Sequence, residues 1–155
     1  MQPEQKIANF LKHHNKTLCI AESCTGGYLT HRLTNISGSS RFLIASIISY
    51  ANVAKTKLLQ VSPGHLKKDG AVSLAVARQM ANHVSKLFKS DFSIAITGIA
   101  GPTGGSLQKP VGLVYIAIKS PHTILVQKYL FKGTRIQIKK QAAEKAMSLL
   151  LKVLV

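Results

Sequence analysis

Five short apolar runs dictate what this chain can fold into. They lie at Thr17–Ala21, Phe42–Tyr50, Phe92–Thr97, Gly112–Lys119 and Thr123–Phe131. Runs this short, bounded by polar or glycine-rich turns, read as strands. Between the first three the pattern changes to the helical period. Thr25–Asn35 puts Tyr28, Leu29 and Leu33 on one side, with Ile36 just beyond, and Asn52–Leu59 forms a short helical stretch. The segment 73–89 carries Val76, Ala77, Met80, Val84, Leu87 and Phe88 at spacings of three and four. Gln5–His14 and 134–151 add a helix at each end. Strands alternating with helices predict an α/β fold whose sheet is covered on both faces. That covering predicts a buried strand at Phe42–Tyr50. Ser120-Pro121-His122 joins the last two runs as a hairpin, which forces an antiparallel strand and makes the sheet mixed.

Length and composition narrow the function classes. The 155 residues suffice for one domain with a real core, expected over 1–155, and 46% are hydrophobic. No apolar run approaches the roughly 20 residues of a membrane span. The opening Met1-Gln2-Pro3-Glu4-Gln5 lacks the basic-then-apolar order of a secretory signal, so the expectation is a cytoplasmic protein. Cys19 and Cys24 are too few for a disulfide scaffold or a thiolate zinc site. The net charge of +16 raises polyanions as partners. The basic residues are spread along the chain, though, with no aromatic-interleaved tract or nucleic-acid motif. A solvated basic surface is the better reading, and it suits small anionic ligands.

Three polar loops follow strands: Glu22–Gly27, Tyr50–Lys55 and Thr97–Pro110. Ligands of open α/β sheets bind where such loops converge at strand carboxyl ends. Ser23, Thr25, Tyr50, Asn52, Lys55, Thr97 and the Gly98–Gly105 loop are therefore candidates for one pocket. Gly26 and Gly27 would let backbone amides approach an oxyanion at a helix start; a capped helix with a tight turn fits the same residues. The segment is not a Walker loop, a GxGxxG fingerprint or a GxSxG elbow. No histidine lies in these loops, and no metal-ligand spacing exists, so no metal and no cofactor are expected. Lys55 is the candidate base, since a desolvated lysine can lose its proton near neutrality. A surface lysine on a short helix is the simpler alternative.

The combination AESCTGG at 21–27, SGSS at 37–40, YANVAK at 50–55, GAVS at 70–73, ARQMA at 77–81, TGIAGPTGG at 97–105 and KPVG at 109–112 resembles the CinA carboxy-terminal-domain family over nearly the whole chain. The resemblance implies a three-layer α/β/α sandwich with a mixed, mostly parallel five-stranded sheet. It also implies a homo-oligomer and metal-independent hydrolysis of the carboxamide of nicotinamide mononucleotide, here in a standalone form. Carried onto this chain, Ser23 resembles the nucleophile and Lys55 its base, with Tyr50 in support. Glu22, Thr25, Gly26, Gly27, Ser39, Ser40, Asn52, Thr97, Gly98, Ala100, Gly101, Gly104 and Gly105 would contact the substrate. The chain departs from the family pattern at Leu43–Ile48, where charged residues and a glycine are usual, and at Gln60, Gln108 and Lys139.

Overall fold

The computed structural model describes residues 1–154. Its strands are β1 (Leu18–Glu22), β2 (Leu43–Ile48), β3 (Phe92–Gly98), β4 (Leu113–Lys119) and β5 (Ile124–Leu130). The helices are α1 (Pro3–His13), α2 (Tyr28–Thr34), α3 (Asn52–Leu59), α4 (Pro63–Asp69), α5 (Leu74–Phe88) and α6 (Arg135–Leu154). The strands form one sheet in the order β2-β1-β3-β4-β5. β1 pairs in parallel with both β2 and β3, while β4 runs antiparallel to β3 and β5. Four strands thus point one way and β4 alone is reversed.

Alternation along the strands sorts the core into two layers. Leu18 and Ile20 of β1, Phe92, Ile94 and Ile96 of β3, and Val114, Ile116 and Ile118 of β4 face α1, α2 and α6. On the opposite face stand Cys19, Ala21, Ala95 and Ala117, beneath Val76, Ala77, Met80, Ala81 and Val84 of α5. Small side chains there let α5 lie close on the sheet, whereas the large aliphatics of the first face fill a deeper layer under three helices. No helix of the described residues is long and apolar enough to cross a membrane.

Two sequence expectations change. The run at 42–50 is an edge strand rather than a buried one: Ile44 and Ile48 remain 47% and 50% exposed. β2 has a neighbour on one side only, a consequence of strand order that an apolar run does not reveal. The stretch from Ser62, where periodicity predicts no helix, opens α4. Ser62 caps it by accepting from the His65 amide, with Pro63 in the first turn.

Candidate active site

β1 sends its chain through α2 to β2 on one side of the sheet, and β3 sends its chain to β4 on the other. Where neighbouring strands diverge in this way their carboxyl ends leave a crevice. Ser23 and Gly98 stand at its two walls. The Ser23 amide donates to Ile96 O at 3.0 Å, which pins the residue to the end of β3 as β1 stops. The chain then turns through Gly26 and Gly27, at φ +60° and +96°. Side chains with a Cβ rarely adopt that region.

The fully buried Glu22 holds the turn in place. Its Oε1 accepts from the amides of Gly27 and Leu29 at 3.2 and 3.1 Å, and its Oε2 from the amide and hydroxyl of Thr30 at 3.0 and 2.6 Å. A carboxylate at a helix amino terminus satisfies donors that the helix itself leaves free. Those amides, which the sequence suggested for a bound anion, are thus taken by the protein's own carboxylate.

Lys55 rises from the first turn of α3 into the protein and is 1% exposed. Its Nζ lies 2.9 Å from Ser23 Oγ, 2.7 Å from Ser49 O and 3.4 Å from Tyr50 O. The Ser49 amide donates to Glu22 O at 2.8 Å, so the segment carrying these carbonyls is tied to β1. Burial lowers the pKa of Lys55 from the ordinary lysine value. The Cys24 thiol, also buried, is pushed up to about 12 and stays protonated. Lys55 and Ser23 are therefore the pair suited to proton transfer, and Cys24 is a wall.

Ser23, Cys24, Tyr50, the residues from Gly98 to Gly101, Thr103, Gly104 and Arg135 line a cavity of about 260 Å³. Arg135 was not foreseen as a site residue. Standing at the start of α6, it donates to Gly101 O at 2.6 Å and to the Tyr50 hydroxyl at 2.7 Å. It thereby joins the glycine loop to the segment after β2. Lys139, one turn further on, brings its Nζ to 3.7 Å from where a Cβ on Gly26 would stand. Both cations face neutral groups. All five acidic side chains are engaged elsewhere: Glu4 and Glu144 on Arg32, Asp91 on Lys16, Asp69 on His65 and Glu22 on α2. Among the described residues no carboxylate lines the cavity.

Of the residues expected to contact substrate, Ser23, Tyr50, Gly98, Ala100, Gly101 and Gly104 line this cavity, with Lys55 directly beneath Ser23. Others take different places. Glu22 and Thr25 are fully buried, and neither Gly26 nor Gly27 lines the cavity. Thr97 donates its hydroxyl to Ala71 O at 2.8 Å. Gly105 packs against the Val111 backbone, and Asn52 is exposed on α3. Ser39 and Ser40 form a short helical turn before β2, at the amino end of the sheet. The five-residue length of β1, roughly 16 Å, separates them from the Ser23 end.

The model of the CinA C-terminal domain matches residues 1–154. A CinA-like protein of Syntrophus aciditrophicus is 46% identical over 148 residues, covering 95% of this chain and 35% of that protein. Another from Desulfotalea psychrophila is 42% identical over 94% of the chain and 35% of the relative. The chain thus spans about a third of the length of these relatives. Among solved structures, the competence/damage inducible protein CihA of Agrobacterium tumefaciens superposes with a TM-score of 0.96 at 35% identity. That match covers 97% of this chain and 93% of the other. The competence or damage-inducible protein of Enterobacter asburiae gives 0.95 at 30% identity, over 99% and 96%.

Proposed function

The chain belongs to the CinA C-terminal domain family, and we propose that it hydrolyses the carboxamide of nicotinamide mononucleotide to nicotinate mononucleotide and ammonia. The observation that carries this reading is the buried contact of 2.9 Å between Lys55 Nζ and Ser23 Oγ at the foot of a cavity lined by no acidic side chain among the described residues. A neutral Lys55 directs two N–H groups at Ser49 O and Tyr50 O and its lone pair at the Ser23 hydroxyl. Serine is a weak nucleophile until a base takes its proton. Ser23 Oγ then attacks the carboxamide carbon as its proton passes to Lys55. Collapse of the tetrahedral intermediate breaks the C–N bond, and Lys55 returns the proton to the departing ammonia. Water, deprotonated by Lys55, resolves the acyl-enzyme and frees Ser23.

The oxyanion needs donors already in place. Among the described residues, the amides of Cys24, Thr25, Ala100 and Gly101 donate to no other residue's backbone, whereas the Gly26 amide donates to Ser23 O. Stabilisation thus falls to the residues directly after the nucleophile or to the facing loop. Arg135 and Lys139 supply the positive charge for the nucleotide phosphate. A cavity of about 260 Å³ suits the nicotinamide ring, with ribose and phosphate reaching the rim.

The test is ammonia release from nicotinamide mononucleotide by purified protein, compared with Ser23→Ala. We expect turnover by the natural sequence and a loss of at least about 10³-fold in the variant, with unchanged circular dichroism. Nucleotide binding without ammonia release would instead identify a non-catalytic nucleotide-binding module. Near-normal release by Ser23→Ala would remove the nucleophile assignment.

A further inference from the structure

The loop between β3 and β4 forms one wall of the cavity, yet it contains little that would fix its own shape. Among the described residues from Ala100 to Gln108, only the Ser106 amide donates to another residue's backbone, at 2.8 Å from Lys109 O. Leu107 beside it is 97% exposed. What holds the loop comes from outside. Arg135 grips Gly101 O from the cavity side. Behind the loop, the segment between α4 and α5 offers three successive carbonyls, and each accepts from a side chain. Asp69 O takes Lys109 Nζ, Gly70 O takes Ser73 Oγ at 2.9 Å, and Ala71 O takes Thr97 Oγ1 at 2.8 Å. Thr97 precedes the loop and Lys109 lies in its return, so both ends are fastened to one short strap.

The Lys109 fastening is built for that purpose. Its ammonium meets no carboxylate among the described residues, because that of Asp69 turns to His65 Nδ1 at 3.0 Å. An ionised donor on a carbonyl makes a stronger bond than a neutral one. Gly70 leaves room for it: the residue has φ +76°, and a Cβ there would stand 2.9 Å from Lys109 Nζ. Two residues on, Val111 sets its side chain against Gly101 and its backbone against Gly105, where a Cβ would stand 2.8 Å from Val111 N. Gly101 is thus held between Arg135 in front and Val111 behind.

We propose that Lys109 is a positioning residue of this site. By holding Asp69 O it fixes where the chain returns through Pro110 to Val111, and Val111 sets how far Ala100, Gly101 and Gly104 stand from Ser23. Lys109 itself does not line the cavity of Ser23; it borders a separate one with Asp69, Ser73 and Tyr115. It therefore acts through the loop and not by touching substrate. Its effect on turnover rests on the function proposed above; its hold on the loop does not.

Hydrogen exchange in the free protein reads that hold without any activity assay. In Lys109→Met the Ser106 and Gly112 amides are expected to exchange at least about tenfold faster, with β1 and α3 unchanged. Lys109→Arg, whose guanidinium can still donate to Asp69 O, should exchange at close to the natural rate. In ammonia release from nicotinamide mononucleotide, Lys109→Met should raise KM about tenfold and leave kcat within about twofold. Lys109→Arg should recover most of that loss. Because Lys109 is half-buried, both variants should melt within a few degrees of the natural protein. Unchanged exchange in Lys109→Met, a kcat that falls as far as kcat/KM, or an arginine variant as impaired as the methionine one would each overturn the proposal. A natural protein that releases no ammonia would remove the function proposed above, and exchange would still decide the role of Lys109.

Discussion

Two glycine turns flank the cavity, and they use glycine for opposite purposes. After β1, Gly26 and Gly27 fold the chain tightly and their own amides are satisfied inside the protein, by Ser23 O and by Glu22. The product is a fixed support that presents one hydroxyl to the cavity. After β3, the loop from Gly98 to Gly105 leaves the amides of Ala100 and Gly101 without protein acceptors among the described residues. Its glycines bring bare backbone up to the cavity and leave it available to a ligand. The first turn thus belongs to the chemistry and the second to recognition, and that division can be tested.

The largest effect is expected at the nucleophile side. Lys55→Met keeps the length of the buried chain but removes the base, and should lower kcat by about 10³-fold. Stability should move the other way. The folded state resists protonating Lys55, so its pKa there lies below the unfolded value of 10.5. Between those two values the unfolded chain holds more protons, so natural-sequence stability rises with pH through that window. Below it the full penalty for burying the ammonium persists. Lys55→Met should therefore gain stability at neutral pH, and the gain should shrink as pH approaches 10. Urea midpoints across pH measure it; a gain independent of pH would mean that Lys55 is not buried as a base. For the natural protein, kcat/KM should rise with pH through an apparent pKa below the ordinary lysine range.

Glu22→Ala asks whether the first turn is as rigid as its hydrogen bonds suggest. The change strands three amides beside a fully buried position, while the Thr30 hydroxyl keeps Ser46 Oγ as a partner. Unsatisfied buried groups cost about 1–3 kcal/mol each, partly relieved by entering water. A total near 3–4 kcal/mol is expected, or roughly 10 °C in melting temperature at this size. A loss below about 1 kcal/mol would show that the turn holds its shape without the carboxylate.

These contrasts mark how far the sequence could be read. Periodicity located all five strands and five of the six helices, because burying one face is a local pattern. It missed α4, although Ser62-Pro63 is a helix-start signal, since the segment has no apolar stripe. The exposed edge at β2 was not legible, because burial there depends on which strands flank it. At the site, Ser23, Tyr50 and Lys55 stood out through their motifs and strand-end positions. Arg135 did not: it lies 85 positions from Tyr50, among many basic residues, and only the docking of α6 brings it to the cavity. Glu22 stands among the substrate contacts that the family resemblance implies. Side chains alternate along a strand, however, so adjacent residues face opposite ways, and Glu22 turns inward.

The smallest effect is expected from Gly101→Ala, and it separates the two turns most cleanly. Gly101 has φ +75°, and an added Cβ would collide with the side chain of Val111. The loop must shift, at a cost of about 1–2 kcal/mol. A shift there moves the carbonyl held by Arg135 and the free amides facing the cavity. It leaves the Glu22 network and the contact between Lys55 and Ser23 untouched, because none of those partners lies in the loop. KM for nicotinamide mononucleotide should therefore rise several-fold. A small sulfonyl fluoride, which needs only an activated serine, should still modify Ser23 at close to the natural rate. If modification slows as much as turnover does, the two turns act as one unit, and assigning chemistry to one and recognition to the other fails.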